Sequence, residues 1–120
     1  MLVSQAKEIA RQWVTEECEG LPNFLGAYLV GSITDAPDEH EFPASSDVDI
    51  AVLLARPDPD NKPTKFLYRD ALIEVNYPPY DEIRVPENVL REYRRAGAFR
   101  TQNILSDPSG ELTSLFSAVS

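Results

Sequence analysis

The sequence is poor in residues from which several common kinds of site are built. It has one cysteine, one histidine and one tryptophan in 120 residues. A single cysteine, Cys18, cannot form an internal disulfide, which excludes a disulfide scaffold and is typical of a reducing cytoplasm. We therefore expect a cytoplasmic protein. The histidine, His40, lies in an acidic stretch, where an exposed loop side chain is a simpler interpretation than a metal ligand.

Long apolar runs and an excess of basic residues are also missing. No apolar stretch approaches membrane-spanning length, and MLVSQAKEIARQ at the start has no basic segment followed by an apolar one, so we expect no membrane association. The chain has 11 Lys and Arg against 20 Asp and Glu, a formal net charge of −9. This balance argues against nucleic-acid binding, which depends on basic residues. It suits metal cations or a cationic substrate, although a solvated acidic surface has the same composition.

The residues that are present predict one α+β domain over residues 1–120. An apolar fraction of 42% is sufficient for a single core. Hydrophobic periodicity predicts the order α-β-β-β-α-β-α, a small mixed sheet with helices packed on it. The predicted elements are a helix from the cap Ser4 to the stop Gly20, strands at 24–30 and 47–54, a proline-rich turn at 56–64, a long strand at 65–77 that is bulged near Arg69, a helix at 86–97, a strand in FRTQNIL, and a helix at 108–120. A helical turn is expected just after Ser32.

Two aspartates in the second strand are unusual, because aspartate is depleted from strands. Asp47 and Asp49 begin DVDIAVLL, and side chains two apart point to the same face with Cα atoms about 6.5–7 Å apart. Two carboxylates at that spacing can converge on a pair of divalent cations. Glu74 lies in a similar context, ALIEVNY, and antiparallel pairing of its strand beside the second would bring it to the same face.

A Gly-Ser dipeptide lies one strand upstream of these acids. Gly31 and Ser32 follow the apolar run FLGAYLV, and a helical turn that starts there offers N–H groups and a hydroxyl to a phosphate. Each feature has an ordinary interpretation by itself, since most Gly-Ser pairs are turns and most single strand carboxylates face water. Their combination favours a site that binds metal and phosphate.

Taken together, LVGS, SSDVDIAVLL and LIEV resemble the signature of the polymerase-beta-like nucleotidyltransferase superfamily over residues 24–77. The resemblance implies a nucleotidyltransferase fold, with Gly31, Ser32 and Ser46 at the nucleotide. It further implies that Asp47 and Asp49 bind two Mg²⁺ ions, and that Glu74 is the third ligand or the base. The implied reaction transfers a nucleoside monophosphate from a nucleoside triphosphate, with ATP as the expected donor, to a hydroxyl of a small molecule.

Two departures from the family pattern leave an alternative open. The family usually has a basic residue shortly after Gly-Ser, and ITDAPDEHEF has none. Phosphate neutralisation would then come from metal and from Lys65, Arg69 or Arg84. Many relatives also carry a C-terminal helical domain, so we expect this chain to hold half of the site, completed by a further helical region or a second subunit as in a homodimer. The alternative is a non-catalytic binding module of the same fold, such as an antitoxin-like or regulatory partner.

The apolar stripe of the last predicted helix bears on the same question. It consists of Leu112, Leu115, Phe116 and Val119 at helical spacing. Either the stripe packs on a neighbouring structure or it completes the core of this domain.

Overall fold

The computed structural model describes residues 1–56, 59–80 and 101–119. Its regular elements are the helix α1 (Val3–Glu17), the strands β1 (Phe24–Val30), β2 (Asp47–Leu54), β3 (Thr64–Tyr68), β4 (Ala71–Asn76) and β5 (Ile104–Ser106), and the helix α2 (Glu111–Val119). Short 3-10 turns cover Ser32–Asp35 and Thr101–Asn103. The predicted α+β class and the predicted turn after Ser32 are confirmed.

The five described strands form one mixed sheet in the order β3-β4-β2-β1-β5. The central strand β2 is antiparallel to β1 and parallel to β4. The outer pairs, β3 with β4 and β1 with β5, are antiparallel. After its first residues β2 is buried on both faces, which is typical of a strand between two packed layers.

Alternate residues of β2 enter two separate cores. The larger core lies between the sheet and α1 and includes Val48, Ile50 and Val52. The smaller core lies on the other face, where α2 packs its Leu112 and Phe116 over the sheet. Because full burial of such a side chain stabilises the fold by about 1.5–3 kcal/mol, both layers contribute to holding β2 in place.

The first helix begins at Val3, two residues before the first helical residue that a cap at Ser4 predicts. Ser4, predicted as the N-cap, lies inside α1, and its backbone N–H donates to the carbonyl of Asp38 at 3.0 Å. The N–H of Val3 donates in the same way to the carbonyl of His40 at 2.9 Å. Loop carbonyls therefore accept hydrogen bonds from N–H groups of the first helical turn, which a capping side chain would otherwise accept. The helix also ends at Glu17, before the predicted stop.

The predicted single strand over residues 65–77 consists of two strands. The chain turns at Arg69 and Asp70, whose φ angles of 48° and 68° are both positive, as in two-residue turns of β-hairpins. β4 therefore lies beside β2 and runs parallel to it, so the predicted antiparallel pairing is wrong. The usual signal for such a turn is Asn-Gly. Here Arg69 is held instead by hydrogen bonds to Gln12 and Glu16 of α1.

The last described elements are shorter than predicted. β5 has three residues, and α2 begins at Glu111 rather than at residue 108. The carboxylate of Asp107 accepts hydrogen bonds from the N–H groups of Leu112 at 3.1 Å and Thr113 at 2.8 Å, which satisfies donors of the first turn. Leu112 and Phe116 are buried, so this part of the apolar stripe completes the core of the chain itself.

Some predictions fall on other parts of the chain. The predicted helix over residues 86–97 and Arg84 lie outside the described residues, as do two residues of the proline-rich turn. Within the described ranges, no helix combines the length and the apolar composition needed to cross a membrane.

Candidate metal centre

Three carboxylates meet on the face of the sheet that is opposite α1. Asp47 and Asp49 come from β2, where they alternate with residues of the larger core. Glu74 comes from β4, and its backbone lies opposite Asp49 in the parallel ladder. One oxygen of each side chain lies within 4.8 Å of the others. The structure thus brings together the three acids named from the sequence, through a parallel pairing that the sequence pattern did not predict.

The position of the acids along β2 explains why they are half-buried. The following residues on the same face, Ala51 and Leu53, are buried under α2. Asp47 and Asp49 come earlier on the strand, beyond that apolar cluster, and both remain partly accessible. The same face of β2 therefore changes from polar to apolar along its length, and the acids border on the apolar part.

The charge of Asp49 is poorly compensated. Its Oδ1 atom is buried and accepts no hydrogen bond from the described part of the chain. Burial is the main cause that raises the pKa of Asp49 to about 6, followed by the hydrogen bond and charge of Glu74 and by the charge of Asp47, while Lys65 lowers it. A nearby cation would favour the ionised form and offset this cost.

Lys65 supplies a positive charge next to Asp47. Its Nζ lies 2.8 Å from Oδ2 of Asp47, and this ion pair raises the pKa of Lys65. Lys65 stands on β3 directly across from Glu74 in β4, so its side chain is on the face of the acids. The ion pair was not predicted, because its only signal is the register of a hairpin whose turn the sequence did not reveal.

Gly31 lies so close to Asp49 that any side chain at this position would displace the carboxylate of Asp49. It follows β1, whose last residue Val30 is paired with Asp49. A Cβ atom added at Gly31 would overlap with Oδ2 of Asp49. Its φ of 78° and ψ of −161° also fall in a region that is essentially restricted to glycine. The glycine is therefore required both by the backbone and by the carboxylate beside it.

The two predicted serines flank this arrangement. Ser32 is exposed and begins the 3-10 turn, while Ser46 is half-buried and directly precedes Asp47. The turn is held by Thr34, whose N–H and hydroxyl both donate to the carbonyl of Gly31, at 3.1 and 2.7 Å. An ordered turn therefore presents Ser32 next to the glycine that contacts the acids.

No protein-family model and no curated protein sequence matches the chain.

Other candidates from the sequence have ordinary roles. Arg69, considered for phosphate binding, forms an ion pair with Glu16 at 2.6 Å and stacks over the ring of Tyr68. His40 is exposed in its loop. Burial, followed by the charges of the neighbouring glutamates, raises the pKa of the Cys18 thiol to about 12, so Cys18 is a poor nucleophile near neutral pH.

The chemistry of the carboxylates fits a divalent metal ion. Hard oxygen ligands are those that Mg²⁺ and Ca²⁺ prefer, and the buried oxygen of Asp49 has no protein partner among the described residues. Within the described ranges, Asp47, Asp49 and Glu74 are the only group of three or more acidic, histidine or cysteine side chains that converges in this way. The acidic triad can therefore bind a metal ion.

The raised pKa of Asp49 predicts that the contribution of this residue to the stability of the metal-free protein rises on mild acidification. Between its ordinary pKa of 3.8 and its folded pKa of about 6, the folded state binds a proton that the unfolded chain does not. The contribution of Asp49 to the free energy of unfolding therefore decreases as pH rises through this window. After allowance for solvent screening, the contribution of Asp49 is roughly 1 kcal/mol.

Urea unfolding in the presence of a chelator, at pH 7 and pH 5, measures this effect. Asp49→Asn serves as the reference, because acids remote from Asp47, Asp49 and Glu74 titrate alike in both proteins and their contributions cancel in the difference. An equal pH dependence in the two proteins would show that Asp49 is not perturbed.

Proposed function

We propose that the protein is a metal-dependent nucleotidyltransferase, which transfers a nucleoside monophosphate from a nucleoside triphosphate to a hydroxyl of a small molecule. The proposal rests on one observation above all: the three carboxylates converge within 4.8 Å beside a glycine at which any side chain would clash with Asp49. The resemblance of residues 24–77 to the polymerase-beta-like nucleotidyltransferase superfamily also supports the proposal, because it implies metal binding at the three acids and nucleotide binding at the glycine. ATP is the proposed donor.

The residues of the candidate site would have different roles in this reaction. Asp47, Asp49 and Glu74 would hold two Mg²⁺ ions, and the N–H groups and hydroxyl of the turn at Gly31 and Ser32 would donate hydrogen bonds to the triphosphate. When bound, the metal ions supply charge neutralisation for the triphosphate and a lower pKa for the attacking hydroxyl. Glu74 can accept the proton of that hydroxyl. Pyrophosphate leaves from the donor.

A cationic acceptor is less well supported than the sequence alone indicated. Two acids of the loop before β2 already have cationic partners, since Asp38 is paired with Lys7 at 2.8 Å and Glu41 with the N-terminal amine at 2.8 Å. The part of the acidic surface that is available to a cationic acceptor is correspondingly smaller. We therefore propose that the acceptor is a small molecule with a hydroxyl group, and we assign no charge to it.

Thermal denaturation with added ligands tests the proposal against the binding-module alternative. Ligand that binds the folded state at a hundredfold excess over its dissociation constant should stabilise it by about 2.7 kcal/mol. We expect this with a nucleoside triphosphate and Mg²⁺ together. If no nucleoside triphosphate has an effect with either Mg²⁺ or Mn²⁺, the non-catalytic module, favoured by the lack of a basic residue after Ser32, is the better account.

A mass-spectrometric screen of acceptors distinguishes binding from turnover. Candidate small molecules are incubated with each nucleoside triphosphate and Mg²⁺, and the products are examined for the added mass of a nucleoside monophosphate. Stabilisation by nucleotide without any transfer product from a broad acceptor set would again favour a binding module. A product that requires Mg²⁺ would support the transferase.

A further inference from the structure

Lys65 is placed so that it can leave the carboxylates without disturbing the fold. Lys65, Glu74 and Asp49 form a row across β3, β4 and β2, and the ammonium reaches diagonally to Asp47. The Lys65 side chain is 49% exposed and stands on the edge strand of the described sheet. Its four-carbon stem is flexible, so a move away from Asp47 requires only side-chain rotation.

We propose that Lys65 is a displaceable counter-cation: it occupies Asp47 in the metal-free protein and moves to a phosphate of the nucleotide when a divalent cation binds. The inference rests on the proposed function, and it adds a coupling between the binding of metal and of triphosphate. Three carboxylates and one ammonium have a formal charge of −3 + 1 = −2. Lys65 and a divalent cation held by the three acids would both bind the carboxylate of Asp47. A divalent cation alone therefore competes with Lys65 for Asp47.

A bound triphosphate reverses the effect of Lys65. It brings several negative charges to the same place, and the stretch after Ser32 has no basic residue to meet them. Arg69 is paired with Glu16, whereas Lys65 already lies at the acids. An ammonium released from Asp47 can form a charge-assisted hydrogen bond with a phosphate oxygen. Lys65 should thus weaken the binding of metal alone and strengthen the binding of metal with nucleotide.

Lys65→Gln should therefore change two dissociation constants in opposite directions. Mn²⁺ alone is titrated into the protein and free Mn²⁺ is followed by electron paramagnetic resonance. Because ATP itself chelates Mn²⁺, binding of Mn²⁺ with ATP is measured by equilibrium dialysis as protein-bound nucleotide at saturating Mn²⁺. Loss of a competing ion pair should tighten the binding of Mn²⁺ alone by about two- to fivefold. Loss of a charged hydrogen bond should weaken the binding of Mn²⁺ with ATP by about tenfold or more.

Two further variants separate this role from a general charge effect. Lys62→Gln removes the same charge from an exposed position three residues earlier, and solvent screening should keep its effect on either constant below about twofold. Lys65→Arg retains the cation and should return both constants to near the wild-type values. Equal effects of the Lys62 and Lys65 substitutions would overturn the proposal.

The outcomes for Lys65 and for the proposed function can be told apart. If wild-type protein binds Mn²⁺ with ATP, and Lys65→Gln binds Mn²⁺ alone no more tightly than wild type, then Lys65 is not a counter-cation and the proposed function stands. If wild-type protein binds Mn²⁺ neither alone nor with ATP, both are wrong. Opposite shifts of the two constants support both.

Discussion

Asp49→Asn should abolish nucleotide transfer and at the same time make the metal-free protein more stable. Removal of a group that stabilises charge in the transition state lowers the rate by about 100- to 1,000-fold, and more where the group also holds the metal. In the absence of metal the same change removes a buried charge that faces Glu74. An amide can donate a hydrogen bond to that carboxylate, so we expect a gain of roughly 1 kcal/mol at pH 7, reduced by solvent screening.

Both effects can be measured on one preparation. Transfer is followed by the appearance of product, and stability by urea unfolding with a chelator present. Glu39→Gln is a matched control, because it removes one negative charge from an exposed loop position and should change neither quantity appreciably. Undiminished transfer by Asp49→Asn would refute the assigned function. Lower stability of the metal-free variant would refute the electrostatic account of Asp49.

Gly31→Ala should disrupt the candidate metal centre. The backbone at Gly31 lies in a region where other residues cost about 1–3 kcal/mol, and the new Cβ would overlap with the carboxylate of Asp49. Asp49 would have to move away from Glu74. We expect loss of stability and, in addition, a decrease in Mn²⁺ affinity of about 10- to 100-fold, the cost typical of disturbing a group that orients a metal ligand.

Gly110→Ala is the control for backbone strain. Gly110 also has a positive φ, 80°, but a Cβ added there would meet no other atom within 4 Å. That variant should lose stability through strain alone, and it should bind Mn²⁺ as tightly as wild type. Calorimetric titration and thermal denaturation of both variants test this. Equal Mn²⁺ affinity in Gly31→Ala and wild type would show that the contact with Asp49 does not matter for metal binding.

The shared face of the acids was predictable because strand geometry is local. A period of two residues places Asp47 and Asp49 together wherever the strand lies, and the apolar residues between them require the other face to be buried. Glu74 could be named for the same reason, since it interrupts an apolar strand. The α+β class followed from periodicity in α1, β1, β2 and the last helix.

The pairing of the strands depended on a turn that has no local signal. Arg69 and Asp70 adopt positive φ angles, although Arg-Asp is not among the pairs that favour them. Contacts with α1 hold this turn, and residues that are distant in sequence cannot be read from a local pattern. The parallel arrangement of β4 and the placement of Lys65 both follow from it, so neither could be predicted.

The start of α1 illustrates the same limit. Ser4 has the right chemistry for a cap, but carbonyls of the loop near Asp38 bond the first turn instead. A capping preference of about 1 kcal/mol is small enough for tertiary contacts to override it. Local sequence patterns thus identified the candidate site residues. Long-range contacts determine how the strands and helices that carry these residues are arranged.

The most direct test of the central claim is a crystal structure with Mn²⁺ and a non-hydrolysable nucleoside triphosphate, in which anomalous scattering locates the metal. The account predicts Mn²⁺ bound at roughly 2.1 Å from oxygens of Asp47, Asp49 and Glu74, a distance typical of small hard cations. It also predicts the triphosphate against Gly31 and Ser32. Metal and nucleotide bound elsewhere, with the three carboxylates free of anomalous density, would contradict the account.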